Sequence, residues 1–337
     1  MSQHDAVRAA VFSAGSWGTA VAKIMADAGT DVVLHARRSE VADAINVTHR
    51  NPGYFPDVEL PTTVTATTSP AAALDGADLL VLSIPAQALR EGLAAWAPYI
   101  GADTLIVSLM KGIERDTGQR ASEVITEVTG IPAERVAVLS GPNLARELMT
   151  GQPAAATVAC PDEAAALRVQ QACHTNYFRP YTSTDVIGCE LGGAVKNVIA
   201  LAVGIASGMD LGDNAAAMLI TRGLAETTRL AVAMGAHPAT LAGLAGLGDL
   251  VATCTSPLSR NRTFGTNLGK GLSVAAATAA TRQTTEGVKS AAAILALAHA
   301  HGVEMPITDA ITALLSGTVT LDQATAALMH RPAKPER

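Results

Sequence analysis

Short apolar runs alternate with helix-type segments through the first half of the chain. The intervening segments 16–28, 87–98 and 162–172 carry apolar residues at the three-to-four-residue spacing of an amphipathic helix. Runs of this kind, bounded by Gly, Pro or polar residues, predict strands over 6–12, 31–36, 79–84, 104–108, 135–139, 154–159 and 177–181. Strands that alternate with helices in this way predict an α/β domain built on a largely parallel sheet.

The pattern of apolar and polar residues changes after about residue 187, where strand-like runs stop. Helical patterns then cover 189–207, 214–234, 238–245, 259–268, 284–301, 307–315 and a last segment that ends near 329. We therefore predict two domains: a doubly wound sheet domain over 1–188 and an all-α domain over 189–337.

Composition narrows the class of protein. The chain has 337 residues, of which 49% are hydrophobic and only 3% aromatic, so the core must be built from Ala, Val, Leu and Ile. A net charge of −6 argues against binding to nucleic acid, so any anionic ligand needs a local basic cluster. We expect no membrane insertion, because the most apolar run, 186–208, contains Glu190 and Lys196. The four cysteines show no metal-ligand spacing, which predicts free or buried thiols, a cytoplasmic protein and no metal site.

A glycine-rich turn separates the first predicted strand from the first predicted helix. It matches the G-x-G-x-x-G pattern of Rossmann-type domains, except that Ser13 takes the place of the first glycine. Gly15 would let the backbone approach a pyrophosphate, and Gly18 would let helix and strand pack closely. The N–H groups at the helix start, from Ser16 and Trp17, would then face the phosphates. A turn without a ligand is the alternative, but the strand–turn–helix–strand context favours a dinucleotide site.

The end of the second strand indicates which dinucleotide is bound. A site for NAD usually places Asp or Glu there to bind the ribose 2′-hydroxyl. This chain has Arg37 and Arg38 instead, and guanidinium groups suit a 2′-phosphate. A solvated charge pair at the start of a helix is the plainer interpretation. We favour NADPH as the cofactor, with NADH possible.

Four groups in the second half carry candidate chemistry. Lys196 lies in a strongly apolar helix, where a lysine is costly unless it is paired or used. Asp249 follows a glycine-rich turn, the sequence Ser259-Arg260-Asn261 begins a helix and would suit an anion, and Glu286 lies in the first turn of another helix. Each has a structural alternative: a snorkelling lysine, a plain turn, or a capped and solvated helix start.

These motifs together resemble bacterial NAD(P)-dependent glycerol-3-phosphate dehydrogenases. The ordered set that carries the resemblance runs from the first strand to residue 288 and comprises residues 15–20, 84–87, 111–114, 140–145, 190–197, 246–250, 259–261 and 285–288. Three positions depart from the family pattern: Ser13 replaces a glycine, Asn143-Leu144 replace Ser or Thr followed by Phe, and Thr284 replaces a small apolar residue.

The resemblance implies reversible reduction of dihydroxyacetone phosphate to sn-glycerol 3-phosphate, feeding glycerophospholipid synthesis. Hydride would come from nicotinamide C4, with Lys196 as general acid for reduction and general base for oxidation, Asp249 beside it, and Lys111 on the substrate and nicotinamide. The implied substrate-binding residues are Lys111, Gly141, Asn143, Lys196, Asp249, Ser259, Arg260 and Asn261. The implied cofactor-binding residues are Gly15, Ser16, Trp17, Gly18, Arg37, Arg38, Lys111, Ala145, Arg260, Thr284 and Glu286.

Two other functions remain open at this point. One is another two-domain dehydrogenase, acting on a hydroxy acid or sugar acid, although such enzymes place the asparagine several residues after the lysine and here Asn197 is adjacent. The other is a catalytically silent NADPH-binding regulatory protein, for which Ser13 is the only hint. The resemblance also implies a homodimer. If the interpretation is right, Lys196 should lie close to both Asp249 and Lys111.

Overall fold

A computed structural model describes residues 7–281 and 285–329, so Ala6 and Thr284 lie outside the described residues. The chain divides into two compact units. The first contains the residues up to Lys111 together with Gln119–Glu190, and the second contains Gly112–Gly118 and the residues from Leu191 onward. The short segment Gly112–Gly118 thus groups with the helical unit, although it lies well before the predicted domain boundary.

The first unit is built on one eight-stranded sheet in the order β3-β2-β1-β4-β5-β6-β7-β8. All neighbouring strands are parallel except β6 and β7, which are antiparallel. The strands are β1 (Arg8–Phe12), β2 (Asp31–His35), β3 (Val64–Thr67), β4 (Leu79–Leu82), β5 (Leu105–Ser108), β6 (Val136–Ser140), β7 (Ala154–Ala159) and β8 (Phe178–Ser183). The first six follow the doubly wound order in which ligands bind at the carboxyl ends of the strands.

Helices cover both faces of this sheet. They are α1 (Ser16–Asp27), α2 (Ser39–Thr48), α3 (Pro70–Leu74), α4 (Leu89–Trp96), α5 (Ala121–Thr129), α6 (Ala145–Met149) and α7 (Glu163–Cys173). Because side chains alternate along a strand, Ala9 and Val11 of β1 pack in one core cluster with α1, α2 and α7, whereas Ala10 and Phe12 pack in the other with α3, α4 and α5. Both clusters consist mainly of Ala, Val, Leu and Ile, as the composition predicts.

From Leu191 onward, all the secondary structure of the described residues is helical. The helices of the second unit are α8 (Val186–Gly208, shared with the first unit), α9 (Gly212–Ala233), α10 (Pro238–Ala242), α11 (Asp249–Thr255), α12 (Arg260–Gly269), α13 (Val274–Ala280), α14 (Glu286–Ala300), α15 (Pro306–Leu315) and α16 (Leu321–Met329). The predicted α/β architecture, a Rossmann-type sheet followed by an all-α region, is therefore confirmed. The predicted boundary at 188/189 falls inside α8, which begins before it.

Helix α8 is strongly apolar along its 23 residues. Among the described residues it alone is long and apolar enough to cross a membrane by length and composition, which the sequence did not lead us to expect. Within its most apolar 18-residue window, 94% of the residues are buried inside the protein. This burial is typical of the core helix of a water-soluble protein.

Helices α8 and α12 approach each other so closely that their backbones touch. A Cβ added at Gly204 would lie 2.1 Å from the carbonyl oxygen of Arg262, and one added at Gly265 would lie 2.2 Å from that of Leu201. Gly208 and Gly269 repeat the same contact one turn further along. Any larger residue would force the two helices apart. These glycines therefore fix how the start of α12 sits beside α8.

Several elements differ from the sequence prediction. Helix 238–245 ends at Ala242, and the supposed glycine-rich turn before Asp249 is a five-residue π-helix, Leu244–Gly248, that runs directly into α11. Seven further elements named above were not predicted: α2, α3, β3, α5, α6, α11 and α13. The strand β3 is a short edge strand whose alternating polar residues give it little apolar signal, since Thr65 is exposed.

Candidate active site

The ammonium group of Lys196 lies at the centre of a buried polar cluster in the second unit. The Lys196 side chain is 9% exposed, and its Nζ forms a short ion pair with Oδ1 of Asp249. Nζ also donates a hydrogen bond to Oγ1 of Thr253, at 2.7 Å. The carboxylate side chain of Asp249 is only 2% exposed, so the pair is desolvated on both sides. The structure thus confirms that Lys196 has Asp249 as a partner, which rules out a snorkelling surface lysine.

Asp249 and Thr253, which contact Nζ of Lys196, lie on one face of α11. Asp249 is the first residue of this helix and Thr253 lies one turn later, so both side chains point the same way. The π-helix that precedes Asp249 packs against α8, where a Cβ at Gly192 would lie 2.5 Å from the carbonyl oxygen of Ala245. Single-turn π segments are frequent at functional sites. Because Gly192 has no side chain, α11 can come close enough to α8 for Asp249, its first residue, to contact Lys196.

An asparagine pair joins α8, α12 and α14 next to Lys196. Nδ2 of Asn261 donates to Oδ1 of Asn197 at 2.9 Å, and Oδ1 of Asn261 accepts from the backbone N–H of Gly287 at 3.0 Å. A Cβ at Gly287 would lie 2.6 Å from the carbonyl oxygen of Asn197, so the close approach requires glycine. The amide of Asn261, expected from sequence to bind phosphate, is thus also a link between three helices.

The start of α12 presents the other two residues of the predicted anion site. Ser259 is the N-cap: it is 5% exposed and its Oγ accepts a hydrogen bond from the N–H of Arg262. The hydroxyl hydrogen of Ser259 can still be donated to an acceptor. Arg260, the first residue of the helix, is exposed. A helix N-terminus with an adjacent guanidinium is a favourable environment for an anion.

Glu286 begins α14 and carries an unsatisfied oxygen. Its Oε2 is buried and has no hydrogen-bond partner among the described residues. Burial raises the pKa of this carboxyl above its ordinary value, although the charges of Lys289 and Arg260 oppose the rise. A buried acceptor without a donor suits a ligand that supplies one, such as a ribose hydroxyl or an amide group. Thr284, the neighbouring residue in the prediction, lies outside the described residues.

The glycine-rich turn of the first unit has the expected place between β1 and α1. A Cβ at Gly18 would lie 2.0 Å from the carbonyl oxygen of Ser13, so only glycine fits there. Ser13 itself has φ of 108°, a conformation that favours glycine and costs a serine about 1–3 kcal/mol. Its Oγ accepts a hydrogen bond from the N–H of Gly15 at 3.3 Å. The turn therefore keeps the geometry of the fingerprint even though its first glycine is replaced.

The residues of this turn fit a dinucleotide. Gly15 is the N-cap of α1 and has no side chain, which would let a pyrophosphate come close to its backbone. The indole Nε1–H of Trp17 is buried and has no hydrogen-bond partner among the described residues. Arg37 and Arg38 lie after β2 and are both exposed, with Arg38 only 3.8 Å from the carboxylate of Glu40.

The carboxyl ends of β5 and β6 bring two predicted residues together, Lys111 and Gly141. Nζ of Lys111 donates to the carbonyl oxygen of Gly141 at 3.0 Å. Glycine is required at 141, because a Cβ there would lie 2.9 Å from the Cα of Ala156. Both amide atoms of Asn143 are buried without a partner among the described residues, and Ala145 begins α6. An amide with an unused donor and an unused acceptor suits a hydroxyl- or carbonyl-bearing ligand.

Sequence reasoning missed two residues that shape these sites. Thr253 contacts Lys196, and its spacing of four from Asp249 on a helix would have indicated it had α11 been recognised. Asn51 contacts the glycine-rich turn from a segment that we did not predict to have structure. The predicted approach of Lys111 to Lys196 stays a prediction.

Known proteins of similar sequence cover 98% of this chain. The C-terminal model of NAD-dependent glycerol-3-phosphate dehydrogenase matches residues 185–326, and the N-terminal model matches residues 8–166. The glycerol-3-phosphate dehydrogenase [NAD(P)+] of Streptomyces griseus is 61% identical over 331 residues, which cover 98% of each chain. That of Nocardia farcinica is 60% identical over 335 residues, 98% of this chain and 99% of the relative.

Solved structures agree with these relatives. The crystal structure of glycerol-3-phosphate dehydrogenase from Coxiella burnetii has 38% sequence identity and a TM-score of 0.91, covering 97% of this chain and 99% of that one. A D-mandelate dehydrogenase is only 15% identical with a TM-score of 0.59, a likeness of fold alone. The comparisons therefore do not favour a hydroxy-acid dehydrogenase or a silent binding protein. The chain belongs to the NAD-dependent glycerol-3-phosphate dehydrogenase family, whose members are oxidoreductases.

Proposed function

We propose that this protein catalyses the reversible reduction of dihydroxyacetone phosphate to sn-glycerol 3-phosphate, with Lys196 as the group that moves the proton. The observation that carries the proposal is the buried cluster of Lys196, Asp249 and Thr253, in a chain whose relatives bear the name of this reaction. The product is a precursor of glycerophospholipids. We also propose a cytoplasmic homodimer.

The chain's own residues supply acid–base chemistry at the reacting carbonyl. When bound, a nicotinamide dinucleotide supplies or accepts the hydride. The Nζ of Lys196 donates a proton to the oxygen that becomes the C2 hydroxyl, and its positive charge stabilises the developing alkoxide. Asp249 balances this charge and, together with Thr253, fixes the direction of Nζ. In the oxidation direction, the neutral amine takes the same proton back.

The phosphate of the substrate would be held at the start of α12. Ser259 and Arg260 provide a hydroxyl donor and a guanidinium at the N-terminus of this helix, where the helix dipole favours an anion. The amide of Asn261 is fixed by Asn197 and Gly287, and we assign its remaining Nδ2 hydrogen to the same phosphate. We assign Lys111, Gly141 and Asn143 to the other end of the substrate.

The cofactor would lie along the carboxyl ends of the sheet strands. We assign its pyrophosphate to the backbone of Gly15, Ser16, Trp17 and Gly18, and we propose contacts with Lys111, Ala145, Arg260, Thr284 and Glu286 nearer the nicotinamide. Arg37 and Arg38 would bind a ribose 2′-phosphate, so we propose a preference for NADPH, with NADH accepted. Their exposed guanidiniums support this, because neither is buried in a structural ion pair.

The experiment is a steady-state assay with dihydroxyacetone phosphate and each cofactor in parallel, on wild-type protein and the variant R37A/R38A. We expect the wild type to have the higher kcat/KM with NADPH. The variant should lose about tenfold or more of that value while retaining its value with NADH, because charge-assisted hydrogen bonds to the 2′-phosphate are removed.

Arg168→Ala is the matched control for this assay. Arg168 is an exposed arginine of the same unit that also lies 3.8 Å from a carboxylate, that of Asp78. Its replacement should leave both kcat/KM values unchanged. Equal kcat/KM values for NADPH and NADH in the wild type would contradict the role of Arg37 and Arg38. Absence of turnover with dihydroxyacetone phosphate would contradict the proposed function itself.

A further inference from the structure

Asn51 is a buried polar residue that no part of the proposed chemistry uses. It follows α2, in the segment between this helix and β3, and its side chain is almost inaccessible at 1% exposure. A buried amide without a role in the sheet or helices needs its hydrogen bonds satisfied by something specific. Here that partner is the glycine-rich turn.

The Asn51 side chain makes three described hydrogen bonds, with Ala14, Thr19 and Gly53. Nδ2 donates to the carbonyl oxygen of Ala14 at 2.9 Å and to Oγ1 of Thr19 at 2.8 Å. Oδ1 accepts from the N–H of Gly53 at 3.2 Å. Because one acceptor is a carbonyl oxygen and the donor to Oδ1 is a backbone N–H, only one orientation of the amide satisfies this set.

The contact with Ala14 controls the direction of the Gly15 N–H. The peptide bond between Ala14 and Gly15 is planar and trans, so its carbonyl oxygen and its N–H point in opposite directions. Asn51 holds the oxygen on one side of the turn. The N–H of Gly15 consequently points to the other side, where Oγ of Ser13 lies 3.3 Å away.

The contact with Thr19 fixes the other end of the same turn. Thr19 is fully buried in α1, and its N–H donates to the carbonyl oxygen of Gly15 at 3.0 Å, the first hydrogen bond of that helix. The Asn51 amide thus contacts Ala14, the residue before Gly15, and Thr19, whose N–H makes the first hydrogen bond of α1. The segment that carries Asn51 is itself anchored, because Phe55 is 3% exposed in the core cluster of α1.

We propose that Asn51 is a positioning residue for the dinucleotide: by holding the carbonyl oxygen of Ala14 and Oγ1 of Thr19, it keeps the backbone of the glycine-rich turn in the shape that receives the pyrophosphate. The inference rests on the proposed placement of the cofactor at Gly15–Gly18. Asn51 does not touch the reacting atoms, so its contribution is to cofactor affinity and leaves the rate of the saturated enzyme unchanged.

The test compares Asn51→Ala with wild type by calorimetric titration of NADPH into the protein, and by steady-state assays that vary NADPH and dihydroxyacetone phosphate separately. We expect the dissociation constant and the KM for NADPH each to rise about tenfold, since two buried hydrogen bonds are lost. The kcat and the KM for dihydroxyacetone phosphate should stay within about twofold of wild type. Asn51→Asp should raise the KM for NADPH at least as much, because a carboxylate oxygen would then face the Ala14 carbonyl.

Asn46→Ala is the matched control. The Asn46 amide also makes two hydrogen bonds, to the carbonyl oxygen and the N–H of Ala66 in β3, but it does not contact the turn. This variant should leave the KM for NADPH unchanged. If Asn51→Ala does not fold, Thr19→Val decides the matter: it removes only the hydroxyl acceptor, and we expect a rise of about threefold in the KM for NADPH.

Two results would overturn the inference. One is an unchanged KM for NADPH in the folded Asn51 and Thr19 variants, and the other is an equal rise in Asn46→Ala. Gly15→Ala separates this failure from that of the cofactor placement, because a Cβ there would lie 3.1 Å from Oγ of Ser13 and would disturb the turn to which we assign the pyrophosphate. If Gly15→Ala raises the KM for NADPH and the Asn51 variants do not, the inference about Asn51 fails alone. If Gly15→Ala also has no effect, the placement of the cofactor fails with it.

Discussion

Helix α8 supplies one partner to each of two buried ion pairs, and the two pairs have different roles. Glu190, near the start of α8, pairs with Arg120 in the first unit. Lys196, less than two turns later, pairs with Asp249 in the second unit. Both pairs are desolvated, and both would be costly if one partner were removed.

The pair of Glu190 and Arg120 stabilises the contact between α8 and α5. The carboxylate accepts hydrogen bonds from Nη1 of Arg120 at 2.6 Å and from the N–H and Oγ of Ser122 at 2.8 and 2.7 Å. Burial alone would lower the pKa of Arg120, but the carboxylates of Glu190 and Glu123 outweigh it and raise that pKa. A guanidinium does not give up its proton in a protein, so this pair ties α8 to the first turn of α5 and cannot move a proton.

The pair of Lys196 and Asp249 has a cation that can exchange protons. An ammonium group is a compact charge that can release a proton to a developing alkoxide and take it back. Its partners, a carboxylate and a hydroxyl, fix its direction. The comparison shows that burial and pairing alone do not identify a catalytic residue, and that the type of cation decides what a buried pair can do.

The largest effect among the partners is expected for Asp249→Asn. The neutral amide would leave Lys196 buried without a counter-charge, which favours the neutral amine that has no proton to give. We expect kcat for reduction of dihydroxyacetone phosphate to fall about 100-fold or more. A steady-state assay at saturating substrate and cofactor measures this. A kcat within threefold of wild type would show that Asp249 does not support Lys196.

A smaller effect, on stability, is expected for Glu190→Gln. The variant keeps an acceptor for Ser122 but leaves Arg120 with Glu123 as its remaining ion-pair partner. We expect the free energy of unfolding to fall by about 2 kcal/mol, measured by urea denaturation, with kcat per folded molecule within twofold of wild type. If kcat fell as far as in Asp249→Asn, the distinction between the two pairs would be lost.

The smallest effect is expected for Thr253→Val. The substitution removes one hydrogen bond to Nζ of Lys196 but keeps the shape of the side chain and the charge of Asp249. We expect kcat to fall about fivefold, corresponding to about 1 kcal/mol for one hydrogen bond. Thr253→Ser, which retains the hydroxyl, is the control and should stay within twofold of wild type. An equal loss in both variants would indicate that packing, and not the hydroxyl, matters at this position.

Much of the fold follows from local sequence pattern. The strands β1, β2, β4 and β5 are continuous apolar runs because both faces of a parallel sheet are covered by helices, and such runs are easy to recognise. The helical second half is equally clear from its spacing. The edge strand β3 and the short helix α6 were missed because each is too short and too polar to give a periodic signal.

The residues of the candidate site were likewise found where local sequence indicates them and missed where distant contacts decide. Lys196 was found because a lysine in an apolar helix is costly and calls for a partner. Thr253 and Asn51 were not found, because their importance comes from contacts made across distant parts of the chain: 57 residues separate Thr253 from Lys196, and 37 separate Asn51 from Ala14. The π-helix before Asp249 was predicted to be a turn, since its glycines favour a turn locally and only packing against α8 gives them helical form.

The most direct test of the central claim is chemical rescue of Lys196→Ala. The substitution should lower kcat for reduction of dihydroxyacetone phosphate by about 10³-fold, without altering the dissociation constant for NADPH. We expect methylamine and ethylamine to restore a large part of this kcat in a saturable manner, while tetramethylammonium, which has the charge but no proton to donate, restores none. Equal rescue by tetramethylammonium, or no rescue by any primary amine, would contradict the assignment of Lys196 as the proton donor.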